Sequence, residues 1–318
     1  MTAFDVVCVG SSVVDIPLRP VDRSVFDQVS YPVEDVSMQA GGDALNESII
    51  ISRLGALVVL VTAVGEDAAG NFIMESAARA GVDVSGTTVR KGMTTSLNVG
   101  LVRPDGERTF ITNRNGSLWK TEESDINAEP FLDGKILAFG SIFNNPLLSG
   151  KWMAQLFAKA KKAGMIVCAD MVPSRIGAGL DDIAEALSYV DYFFPNADEA
   201  VALTGARDES EAADILRSKG VGTVVLKVGK RGCLLRGEDL DVIVPAFVRD
   251  DLDSIDTTGA GDNFASGFIR ALLDGKSPEE CAVFANGVAA VSVGALGATA
   301  GVQSKAQVDE FIASKRLR

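Results

Sequence analysis

No histidine occurs anywhere in the 318 residues. That absence removes an imidazole general base, a Ser-His-Asp triad and any His-ligated metal or haem. Cysteine is scarce too. The four residues Cys8, Cys168, Cys233 and Cys281 are far apart and form no C-x-x-C pair, so neither a zinc site nor a disulfide framework is expected. Positive charge is in deficit, with 30 Lys and Arg against 43 Asp and Glu and a formal charge of −13. Nucleic acid and anionic membrane are therefore poor partners, because both demand a basic field. No stretch approaches the roughly 18 apolar residues of a membrane span, and the first residues do not open a basic-then-apolar leader. The expected location is cytoplasmic. Acid–base chemistry is left to carboxylates, Lys, Tyr or Cys.

A hydrophobic fraction of 47% suits one large α/β domain over 1–318. Short β-branched runs at 5–10, 58–64, 135–139, 165–169, 192–194 and 223–228 read as strands. Segments 44–54, 71–80, 151–163 and 211–219 carry apolar residues at helical spacing. The alternation predicts a three-layer α/β/α fold around a mainly parallel sheet. Two stretches, about 13–38 and 94–115, break the rhythm. In the second, two strand-like runs flank Pro104-Asp105-Gly106, the chemistry of a hairpin turn. Together they suit a small β-sheet lid that closes over a substrate, or else plain edge strands of the main sheet.

The most informative stretch is Asp256-Thr257-Thr258-Gly259-Ala260-Gly261-Asp262, ahead of a helix-like segment at 265–273. Small residues let a ligand approach the backbone, and amides at a helix start attract anions without a cationic side chain. Asp262 at that start is placed to accept the proton of an attacking hydroxyl. An acidic helix cap after a flexible turn would look the same from these residues alone.

This stretch resembles the C-terminal signature of the ribokinase-like, or PfkB, carbohydrate kinases. Gly41-Gly42-Asp43-Ala44-Leu45-Asn46 resembles the sugar-binding Gly-Gly segment of the same family, and Asp15 its early sugar-binding Asp. Asn196-Ala197-Asp198-Glu199, 227–232 and 284–287 follow in the family's order, so the resemblance spans nearly the whole chain.

The resemblance implies an ATP-dependent phosphotransferase acting on an alcohol group of a small sugar. Asp262 would be the catalytic base, and the Gly259, Ala260 and Gly261 amides the anion hole. Asp15, Gly41, Gly42, Asp43 and Asn46 would line the sugar. Asn196 and Glu199 match the N-x-x-E motif that organises Mg²⁺ through water, Gly229 and Gly232 a nucleotide-side loop, Asn286 the position beside adenine, and Lys227 a further contact to ATP. Asp256 and Thr258, with the loop 294–299, resemble the K⁺ site of several members. Asn113 and Arg114 are candidates for hydroxyl or phosphate recognition, and a solvated loop explains them equally well. Asn196 could simply cap its own helix. A homodimer through the lid is the expected assembly.

Departures from the family pattern bear on substrate. Asp43 adds a carboxylate beside the sugar site, which would repel a phosphorylated substrate. Val172 replaces the Asn of a family D-x-N-x-R segment. Among rivals, a nicotinamide dehydrogenase would need G-x-G-x-x-G after the first strand, but 10–15 holds a single glycine. A nucleoside kinase of the same family would call for several pocket aromatics, and the lid offers mainly Phe26, Tyr31 and Phe110. A non-catalytic sugar- or nucleotide-binding regulator would have no use for Asp262.

Overall fold

Runs such as Val6-Val7-Cys8-Val9 are apolar on both faces, so each needs cover on both sides. In the computed structural model, which describes residues 4–104, 108–247 and 256–315, they form the centre of an eight-stranded sheet. Strands Val58–Val61, Val6–Gly10, Ile136–Ile142, Ile166–Met171, Tyr192–Phe193 and Thr223–Lys227 lie side by side in parallel. Cys233–Arg236 and Asp241–Val244 extend the same sheet antiparallel. Val6 and Cys8 point into one core, Val7 and Val9 into the other. The first core is closed by helices Asp43–Arg53, Ala68–Arg79, Ala260–Leu273, Pro278–Ser292 and Lys305–Ser314. Helices Gly150–Lys162, Leu180–Leu187, Ala197–Thr204 and Glu209–Ser218 close the second. The three-layer fold with a mainly parallel sheet is as expected.

A second, five-stranded sheet runs Asp35–Val36, Val13–Arg19, Leu97–Val102, Arg108–Thr112, with Gln39–Gly41 also paired to Val13–Arg19. Only Ser11 and Ser12 separate its strand Val13–Arg19 from strand Val6–Gly10 of the main sheet. Gln39–Gly41 leads straight into helix Asp43–Arg53. The small sheet is thus rooted at the carboxyl ends of the parallel strands, where open α/β sheets place ligands. The expected hairpin is present, although Asp105 and Gly106 of its turn lie outside the described residues.

Two boundaries differ from the sequence reading. The run 58–64 is not one strand: it breaks at Thr62, whose hydroxyl is 2.9 Å from that of Ser12, and Ala63–Gly65 leaves to pair with Thr88–Arg90. The helix expected at 265–273 begins at Ala260, because Gly259 adopts φ +70° and caps it. Among the described residues no helix is long and apolar enough to cross a membrane.

Candidate active site

The start of helix Ala260–Leu273 is built for close approach. A Cβ on Gly259 would lie 2.5 Å from the Ala298 Cβ, so besides its left-handed φ the position has no room for a side chain. The first intrahelical bond is the Asn263 amide to the Gly259 carbonyl, 2.8 Å, and the preceding amides are left to other partners. That of Ala260 closes a turn on the Thr257 carbonyl at 3.2 Å, whereas those of Gly261 and Asp262 head the helix. The Asn263 side chain ties the turn down, donating to the carbonyls of Gly259 (2.8 Å) and Ala298 (2.7 Å). Beside this tip stands the Lys227 ammonium. It pairs with Asp170 at 2.6 Å, and a Cβ on Gly261 would be only 3.1 Å from Nζ. Helix dipole and ammonium thus converge on one spot, which favours an anion.

The N-terminal signature meets the C-terminal one here. Asn46, on the first turns of helix Asp43–Arg53, donates through Nδ2 to Asp262 Oδ2 at 2.7 Å, across 216 positions of sequence. The two glycines before it have distinct reasons. Gly42 holds φ +87°, and a Cβ there would lie 2.8 Å from the Ser11 carbonyl oxygen and the Ser12 α-carbon. A Cβ on Gly41 would sit 2.2 Å from Asp15 Oδ2, so only hydrogen fits beside that carboxylate. Asp15 accepts from Asn98 Nδ2 at 3.1 Å, on the neighbouring strand of the small sheet. Asp43 accepts from Asn144 Nδ2 at 3.2 Å; the same nitrogen reaches Ser11 Oγ at 2.8 Å, and Arg175 donates to Asn144 Oδ1 at 3.2 Å.

Several carboxyls therefore crowd one ammonium, and their protonation reflects it. Burial, then the neighbouring Asp43 charge, pushes Asp262 well above the usual carboxylate range. Burial raises Asp43 and Glu47 as well, with Asp170 adding to both. Glu199 is pushed up to about 7, by burial first and Asp170 second. Asp15 is pushed up to about 6, chiefly by burial. Lys227 stays charged, because Asp170 and Glu199 more than offset the cost of its burial. This excess of negative charge fits a site that takes up a cation with its ligand. Among the described residues no three acidic or thiol side chains could hold an ion together, so Mg²⁺ there would lean on phosphate oxygens and water.

The other candidates divide. Asn196 and Glu199 form a reciprocal cap, each side chain accepting the other's amide at 2.9 Å, while the Lys227 amide donates to the Pro195 carbonyl beside them. Gly229 opens a 3-10 turn, and Gly232 follows at φ +101° with no space for a Cβ next to the Val244 carbonyl. Asn286 is buried, its amide donating to the carbonyls of Val244 and Pro245, both at 3.2 Å. Asn113 is spent on the root of the small sheet, accepting from the Leu97 amide at 2.9 Å. Arg114 is exposed and lies over the Trp119 ring, as does Arg175. Asp256 and Thr258 bond to each other and to Arg108.

Sequence reading missed Asn98, Asn144 and Glu47, which border the same cluster. Alternation along 97–102 could have flagged Asn98 as the polar residue of an otherwise apolar strand. Asn144 follows two residues with positive φ, Ser141 and Phe143, and nothing in the sequence announces that bend.

Known proteins resemble this architecture from end to end. A ribokinase of Haemophilus influenzae is 28% identical over 277 residues, 86% of this chain and 87% of that protein. An aminoimidazole riboside kinase of Salmonella typhimurium is 27% identical over 287 residues, 87% of this chain and 89% of that one. The solved structure of Arabidopsis thaliana ribokinase complexed with ribose and ATP is 25% identical, covers 98% of this chain and 99% of that one, and superposes with a TM-score of 0.82. The family model for pfkB family carbohydrate kinases matches residues 3–305, and with that match over nearly its full length the chain belongs to the pfkB carbohydrate kinase family.

Proposed function

We propose that the protein transfers the γ-phosphoryl group of ATP to a hydroxyl of a small, non-phosphorylated sugar or sugar derivative. The observation that carries this reading is the 2.7 Å contact between Asn46 and Asp262. It joins a polar hydroxyl-binding surface to a carboxylate at an anion-attracting helix tip, so acceptor and phosphate can meet within one bond's reach.

The residues then have separable tasks. Asp15 and Asn98 on the small sheet, with Asn46 and Asp43 on the facing helix, hold acceptor hydroxyls, and Asn46 orients the Asp262 carboxylate. Asp262 takes the proton as the acceptor oxygen bonds to the γ-phosphorus and the bond to the β,γ-bridging oxygen breaks. Its raised proton affinity makes it a stronger base than an ordinary surface carboxylate. The Gly259–Gly261 segment and Lys227 stabilise the charge spreading over the phosphoryl oxygens. Glu199, with Asn196 beside it, would hold Mg²⁺ through water, and the ion would supply charge neutralisation for the phosphates. Gly229, Gly232 and Asn286 frame the nucleotide, the latter through the backbone it fixes. The small sheet acts as a lid over 13–38 and 94–115, excluding water. Its exposed Val36, Phe110 and Ile111 support a dimer through that sheet, which sedimentation at equilibrium tests.

Two features weigh on the acceptor. Asp43 disfavours a phosphorylated sugar by repulsion. Phe26 is 82% exposed and Phe110 48%, so the small sheet brings little aromatic surface to stack on a nucleobase. The test is ADP release from ATP and Mg²⁺ across hexoses, pentoses, sugar acids, sugar phosphates and nucleosides. Acceptor-dependent turnover on a free sugar or sugar acid is expected. Turnover confined to nucleosides would move the substrate class, and none with any acceptor, despite measurable ATP binding, would favour a binding protein.

A further inference from the structure

In this fold family a monovalent cation is expected at Asp256, Thr258 and the loop 294–299, and the residues present do not fit one. Asp256 Oδ1 already accepts from the Thr258 amide (2.9 Å) and the Thr258 hydroxyl (2.6 Å), while Oδ2 accepts from the Gly297 amide (2.9 Å). Into the same place comes a guanidinium. Arg108 Nη1 donates to Asp256 Oδ1 at 3.0 Å and to the Thr258 hydroxyl oxygen. Arg108 arrives from far away in sequence, 148 positions earlier, as the first residue of a strand in the small sheet paired through Val102. Burial alone would raise the Asp256 carboxyl, but the bonds from Thr258 and Gly297 and the Arg108 charge outweigh it and hold it below the usual range.

The energetics favour the arginine. An ion entering here would exchange its water shell for an Asp256 Oδ1 and a Thr258 hydroxyl already engaged in hydrogen bonds. It would also stand beside the fixed positive charge of Arg108, which repels it. The guanidinium carries a permanent charge, and its single Nη1 serves both Asp256 Oδ1 and the Thr258 hydroxyl oxygen.

We infer that Arg108 takes the place of the monovalent cation: a guanidinium carried on the small sheet neutralises Asp256 and latches that sheet to the segment leading into the helix tip at Gly259. Resting on the phosphotransferase reading above, this makes ordering of the anion hole a consequence of sheet closure, where a soluble ion would otherwise supply it. An ion acts on the tip whatever the sheet is doing. An arginine acts only when the sheet is down.

The experiment compares K⁺ with tetramethylammonium at matched ionic strength, in the wild type, Arg108→Ala and Arg108→Lys. Two quantities are read: ADP formation with an accepted sugar, and melting temperature without substrate. Wild type should run within about twofold in either salt, with a melting temperature that K⁺ does not raise. Arg108→Ala should lose about tenfold or more in tetramethylammonium, recover most of it in K⁺, and melt higher as K⁺ is added. Arg108→Lys should keep indifference to K⁺. Activation of the wild type by K⁺ of about tenfold, a K⁺-dependent rise in its melting temperature, or a loss in Arg108→Ala that K⁺ leaves untouched would each overturn the inference. If no acceptor supports ADP release in either salt, the kinase reading fails, and the melting series alone decides who holds the cation's place.

Discussion

In the proposed reading, the phosphate end and the hydroxyl end of the site are built in different ways. At the phosphate end the donors are backbone amides of one short segment, backed by a single buried ion pair, Lys227 with Asp170. At the hydroxyl end the groups are side chains, Asp15, Asn98, Asp43 and Asn46, drawn from two strands of the small sheet and one helix of the main body. A phosphoryl group presents the same oxygens whatever sugar it is bound for, so rigid main-chain donors suffice. Sugars differ in the direction of each hydroxyl, and only exchangeable side chains on separate elements can follow them. The phosphate end should therefore be tied to stability, and the hydroxyl end to affinity.

Mutations at each end can break or sharpen that contrast. Where the ends join, Asp262→Asn should lower turnover by roughly three orders of magnitude while sparing the fold and ATP binding; turnover within about tenfold of the parent would remove the carboxylate from the chemistry. At the phosphate end, Asp170→Ala strands the Lys227 ammonium in a buried site and should cost about 3–5 kcal/mol in urea unfolding. A loss under about 1 kcal/mol would mean that the pair is not integral to that end. At the hydroxyl end, Asp15→Asn should raise the KM for the sugar about tenfold to a hundredfold, the size of a lost hydrogen bond to a charged group. The KM for ATP and the unfolding midpoint should barely move. A matching rise for ATP would dissolve the division of labour.

The smallest effect expected is on pH. Asp15 at about 6 and Glu199 at about 7 bind protons more readily folded than unfolded, where carboxylates titrate near 4. Across that window the native state holds the extra protons, so unfolding free energy should fall as pH rises from about 4 to about 7. Melting temperatures of the apoprotein at intervals over that range check the sign. A slope in the other direction would mean that these carboxyls are paired or solvated, contrary to the burial that raises them.

Legibility in the sequence followed the same division. The segment 256–262 is contiguous, so its glycines and acid could be read together, and the core strands announced themselves as short runs apolar on both faces. The glycines and Asp262 read as a helix start, but helical spacing shows only from 265, because a left-handed glycine cap looks like a loop until the chain folds around Ala298. The antiparallel strands Cys233–Arg236 and Asp241–Val244 passed unnoticed, the second being polar at its first residue and largely exposed. Contacts made across elements left no local trace. Asn98 on Asp15, Asn144 on Asp43 and Arg108 on Asp256 join positions 83, 101 and 148 residues apart, the first brought together by strand pairing within the small sheet, the second within the main body and the third by the packing of that sheet against the body. Asn113 drew attention for its polar neighbourhood, yet its side chain is taken by the backbone of its own sheet.

A crystal structure of the protein with ADP, aluminium fluoride, Mg²⁺ and an accepted sugar would test the central claim most directly. The fluoroaluminate should lie on the amides of the Gly259–Gly261 segment, with the attacking hydroxyl oxygen about 2.6–3.2 Å from the Asp262 carboxylate and in line with the leaving oxygen. A fluoroaluminate bound away from that helix tip, or a hydroxyl oriented by some other group with Asp262 out of reach, would contradict it.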